Sequence, residues 1–66
     1  MKAWTPEEIK KFRKHLNYYQ KDFAVMIGVS RQYVNYLEQG IKKPGKTLKI
    51  LLSLLEKQNI EQKKGM

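Results

Sequence analysis

Apolar residues in this chain recur three and four positions apart, never in sustained alternation, and they fall into four runs. In the first run Ile9, Phe12 and Leu16 share one face, the spacing of an amphipathic helix. Its start is written in Thr5-Pro6-Glu7-Glu8. Threonine caps, proline fits the first helical position, and a glutamate three residues after the cap reaches back to the cap N–H. Trp4 and Ile9 flank the cap as a hydrophobic staple, and the predicted helix covers about 6–16. The second run, Phe23, Ala24 and Ile27 followed by Gly28, predicts a short helix at about 20–27 ending in a left-handed turn. Tyr19 stands at its expected cap. Asn17, with Gln20 three residues on, offers an earlier start.

Ser30 is a good cap for a third helix over 31–39, with Val34 and Leu37 as its buried face and Gly40 as its stop. A loop rich in Lys, Pro and Gly covers 41–45. The fourth helix, 46–57, carries Leu48, Leu51, Leu52 and Leu55 on one stripe, and Ile50 and Leu54 extend its apolar surface beyond that stripe. Residues 58–66 are mostly polar and are expected to form a flexible C-terminal tail. The fold class is therefore all-α, a compact bundle of four to five helices in one domain over residues 1–57.

Composition narrows the function. Lys and Arg number 14 against 6 acidic residues, a net charge of +8 on 66 residues. That density favours polyanions, because binding releases their condensed counterions. There is no cysteine and only one histidine, His15, so neither disulfides nor a zinc site is expected, and no cofactor. No apolar run is long enough to span a membrane and no signal-peptide pattern opens the chain, which suits a cytoplasmic protein. A basic helix lying on a membrane surface is disfavoured because the apolar faces are used by the core. Catalysis is not expected: there is no cysteine nucleophile, no Ser–His pair, no glycine-rich phosphate loop and no carboxylate cluster.

The informative unit is the pair of helices around Gly28. Two helices crossing at a steep angle need a small residue at the crossing and a positive-φ residue in the turn. Ala24 and Gly28 supply them, with Val34 and Leu37 anchoring the second helix and Phe23, Ile27 and Val29 filling the core side. Here the chain resembles the lambda-repressor, Cro and XRE-type helix-turn-helix domains. The likeness runs from Ile9 to Leu55, through Gln20–Ser30, Arg31–Gly40 and Lys42-Lys43-Pro44. Two positions depart from the family habit: Tyr19 stands where a Ser, Thr or Asn cap is usual, and Gly45-Lys46 replaces a Ser-Leu pair.

The resemblance implies a lambda-repressor-like fold that binds double-stranded DNA, with the helix over 31–39 in the major groove. It also implies that Arg13, on the first helix, pairs with Glu38 as a structural bridge. With Val34 and Leu37 in the core, Arg31, Gln32, Tyr33, Asn35 and Tyr36 are the expected base readers. Arg suits guanine O6 and N7, Gln and Asn suit adenine, and Tyr rings suit thymine methyls. Gln20, Ser30, Lys42, Lys43 and Lys46 are expected on phosphates; a cation at the start of the fourth helix opposes the helix dipole and is better explained by a phosphate. Tyr18 and Tyr19 are expected at the core edge. A homodimer is expected, with Ile50 and Leu54 as candidates for its interface, giving a prokaryotic or phage-encoded repressor. An antitoxin that holds a toxin protein and represses its own operon is the alternative.

Overall fold

The computed structural model describes residues 3–65, and the side chains of residues 3–58 among them. Four helices follow in order: α1 (Pro6–His15), α2 (Gln20–Ile27), α3 (Arg31–Gln39) and α4 (Lys46–Gly65). No strand occurs among the described residues. The helix α3 packs chiefly on α2 and also on α1, while α2 meets α4.

Local chemistry sets the helix starts. At α1 both halves of the capping box are made: the Glu8 N–H donates to Thr5 Oγ1 at 3.3 Å, and the Thr5 N–H donates to Glu8 Oε1 at 3.0 Å. At α3 the Ser30 hydroxyl accepts from the Tyr33 N–H at 3.1 Å. Tyr19 stands at the N-cap of α2 with no side-chain cap bond, so that helix relies on packing more than on its start.

The first three helices end alike, each on a left-handed residue followed by a reversed pair of backbone bonds. After α1, Asn17 (φ 61) plays this part: its N–H bonds the Lys14 carbonyl and the Tyr18 N–H bonds the Arg13 carbonyl. Gly28 (φ 75) and Gly40 (φ 80) do the same after α2 and α3, with Val29 N–H on Ala24 and Ile41 N–H on Tyr36. This is the Schellman arrangement, which satisfies orphan carbonyls. Asn17 thus closes α1 and does not cap α2.

The core is one cluster: Trp4, Ile9, Phe12, Phe23, Ala24, Ile27, Val34, Leu37 and Leu52. Its aromatic spine runs edge to face from Trp4 to Phe12 (5.5 Å) and from Phe12 to Phe23 (6.1 Å), a favoured geometry for rings. Trp4 is 1% exposed although its backbone is left-handed (φ 55). That conformation costs about 1–2 kcal/mol for an L-residue, less than the roughly 4 kcal/mol that burying an indole contributes.

The helix α4 continues past residue 57 and takes in residues 58–65 of the stretch expected as a flexible tail; Met66 lies outside the described residues. The apolar stripe ends near Leu55, but the residues beyond it are mostly good helix formers, with no Gly or Pro until Gly65. No helix is long and apolar enough to cross a membrane among the described residues.

Candidate nucleic-acid interface

Because Val34 and Leu37 are wholly buried, the opposite side of α3 faces outward. Arg31, Gln32 and Gln39 are exposed there, and Asn35 and Tyr36 are half-buried. Gln32, Asn35, Tyr36 and Gln39 form a row at i, i+3, i+4 and i+7, the spacing of one helical face. Two side-chain bonds run along it. Gln32 Nε2 donates to the Tyr36 hydroxyl at 2.6 Å, and Gln39 Nε2 donates to Asn35 Oδ1 at 3.0 Å.

Tyr33 does not share this row. It packs partly buried against the core and borders an apolar groove with Ile27, Val29, Leu48 and Leu51. Gln39, which completes the row, is not among the expected base readers. The signal was present: continuing the 32, 35, 36 spacing by one turn reaches 39 and skips 33.

A partly buried ion pair holds α3 against α1. Arg13 of α1 grips Glu38 through two parallel bonds, Nε to Oε2 at 2.6 Å and Nη2 to Oε1 at 3.0 Å, and both side chains are largely shielded, at 12% and 5% exposure. A third donor, Nη1, reaches the Tyr18 carbonyl at 2.9 Å. A planar guanidinium clamping a carboxylate in this way is directional. It therefore sets the rotation of α3 as well as its position.

Gln20 joins this network from the first residue of α2. Its Nε2 donates to Glu38 Oε1 at 3.2 Å and lies 3.5 Å from Asn35 Oδ1. The side chain expected on a phosphate is thus directed to α3, although it also borders a shallow basic depression with Arg13, Tyr19, Lys21 and Arg31. Lys21, exposed there, is a further cation that the sequence pattern does not single out. Tyr19 is 80% exposed and Tyr18 39% exposed; Tyr19 is no core-edge residue, because the extended backbone at the start of α2 carries it outward.

Ser30 spends its acceptor on the α3 cap, leaving its hydroxyl proton to donate. Lys42, Lys43 and Lys46 are all exposed beyond the C-terminal end of α3. On α4, Ile50 and Leu54 are 40% and 53% exposed. Among the described residues no cluster of His, Cys, Asp or Glu could hold a metal ion.

Two short helices joined through a left-handed glycine, the second with a polar outer face and a buried ion pair behind it, define a helix-turn-helix DNA-binding domain. The family model for helix-turn-helix domains of the Cro/C1 (XRE) type matches residues 9–58, and the chain belongs to that family. It is accordingly a DNA-binding transcription regulator of the XRE type, in a family that is not enzymatic, with double-stranded DNA as its ligand. Neither the curated proteins nor the solved structures give a match.

Proposed function

We propose that this protein is a small dimeric repressor. It inserts α3 into the major groove, reads bases with Arg31, Gln32, Asn35, Tyr36 and Gln39, and grips flanking phosphates with Ser30, Lys42, Lys43 and Lys46. The observation that carries this reading is the polar row on α3, held in rotation by the shielded Arg13–Glu38 clamp. A reading helix must present its side chains at a fixed angle to the groove, because base recognition is directional. Gln20 acts from behind that row and is a positioning residue.

One such domain makes few base contacts, so two copies are needed for a selective site. The exposed Ile50 and Leu54 on α4 support an apolar seam between copies. A dimer covering its operator would exclude the transcription machinery by occupancy, and its place of action is the cytoplasm of a prokaryotic cell.

The test is selection from a random duplex library at near-physiological salt. Enrichment of a palindrome with half-sites about 10 bp apart is expected. Retention at low salt with no enriched sequence overturns the reading and turns attention to a protein partner, such as a toxin.

A further inference from the structure

We infer that Asn35 reads an acceptor edge, O6 or N7 of guanine or O4 of thymine, because its own carbonyl is already committed to Gln20 and Gln39. This rests on the proposed placement of α3 in the major groove and adds the base preference of one position.

The reasoning starts at Glu38. A carboxylate only accepts, and its Oε2 and Oε1 take Arg13 Nε and Nη2. The same Oε1 takes Gln20 Nε2 at 3.2 Å, which forces the Gln20 amide to turn its NH2 toward α3. From there Nε2 faces Asn35 Oδ1 at 3.5 Å, and Gln39 Nε2 faces the same oxygen at 3.0 Å. Two donors converge on one carbonyl with two lone pairs. The Asn35 oxygen is thereby taken up by donors of its own chain, one from α2 and one from the next turn of α3, while its NH2 meets no acceptor among the described residues.

A free asparagine pairs with adenine by donating to N7 and accepting from N6. Asn35 keeps only the first half of that pattern. A donor-only group is satisfied best by guanine, which offers N7 and O6, or by thymine O4; adenine offers it N7 beside an N6 donor left unpaired, and cytosine, which offers only its N4 donor, refuses it. Gln32 differs. Its Nε2 bonds Tyr36 with one proton, leaving the second proton and the carbonyl to pair with adenine in full. Two amides three residues apart on one helix are therefore set to different bases by what lies behind them.

The experiment takes the operator recovered by selection with the intact protein and repeats the selection with Asn35→Asp and Gln39→Ala. In the wild-type selection, the position that Asn35→Asp alters carries guanine or thymine, and cytosine there lowers affinity about tenfold or more. Asn35→Asp, which can only accept, moves that position toward cytosine. Gln39→Ala removes whatever base contact Gln39 itself makes and, at the separate position that Asn35→Asp identifies, frees one lone pair of Asn35 and admits adenine. A wild-type preference for adenine or cytosine there, or the same base profile in both variants, overturns the inference while leaving sequence-specific binding intact. A wild-type library with no enriched duplex overturns both the inference and the function on which it rests.

Discussion

The indole N–H of Trp4 donates to the hydroxyl of Ser53 across 3.0 Å, tying the segment ahead of α1 to the second turn of α4. These residues stand 49 positions apart, so the bond closes the whole domain into a loop. Ser53→Ala removes the acceptor for a nearly inaccessible donor, an effect of about 1–2 kcal/mol. Thermal melting followed by circular dichroism is expected to show a loss of roughly 4–8 °C per kcal/mol in a domain of this size. An unchanged midpoint would show that the bond does not contribute.

Removing one partner of the Arg13–Glu38 clamp strands the other in a shielded site. Glu38→Ala is expected to destabilise by about 3 kcal/mol, whereas the double change Arg13→Met with Glu38→Leu costs much less. The two carboxylate bonds and the Gln20 contact disappear in either case, and the double change also gives up the Nη1 bond to the Tyr18 carbonyl, so a smaller cost for the double change is assigned to the stranded charge it removes. Urea denaturation of both variants checks the order, and a double variant no more stable than Glu38→Ala would refute it.

Two of the left-handed helix ends, Gly28 and Asn17, respond to substitution with different signs. Nothing lies within 4 Å of a Cβ built on Gly28, so Gly28→Ala meets no neighbour. Its cost, about 1–2 kcal/mol, is the left-handed backbone alone. Asn17→Gly relieves the same conformation and is expected to leave stability equal or raised, while Asn17→Ala lowers it. Chemical denaturation midpoints of the three variants decide the matter.

Base and phosphate contacts separate by salt. Gln32→Ala is expected to weaken the selected operator by about 1–3 kcal/mol and to relax one base. Lys43→Ala weakens every duplex alike and lowers the salt slope by about 1. Fluorescence anisotropy on operator and random DNA across a salt series measures both. Equal effects of the two changes on both duplexes would remove α3 from the groove.

Leu54→Glu places a charge on the exposed part of α4 without touching the core cluster. Sedimentation is expected to show a monomer with unchanged helicity, together with loss of tight binding to a two-half-site operator but not of weak binding to a half-site. A variant that still sediments as a dimer would place the seam elsewhere.

How far these features were legible in the sequence follows their range. The Thr5–Glu8 box, the Ser30 cap and the stops at Gly28 and Gly40 are written within a few residues, and each stands where the pattern put it. Asn17 was ambiguous because Asn both caps helix starts and accepts positive φ. The competition is decided by the backbone bonds from Asn17 and Tyr18 back to α1. The Arg13–Glu38 pair spans 25 positions and was accessible only through family likeness. The Trp4–Ser53 bond had no sequence signal at all. Tyr33 has chemistry that suits DNA, while its angular position on α3 sets it partly against the core.

On the proposed phosphate contact of Lys46, the start of α4 sets stability against binding. Gly45, whose carbonyl accepts the Lys49 N–H, has no side chain to cap the helix, and the first turn holds no acid to set against Lys46 and Lys49. A bound phosphate would provide what that turn lacks, so duplex DNA should act on the domain as a missing piece of its own fold. Lys46→Glu would then make the free protein hardier by a few tenths of a kcal/mol and a poorer binder in the same stroke. Selection for robustness alone would erode this corner, and its persistence as lysine would record selection for the nucleic acid.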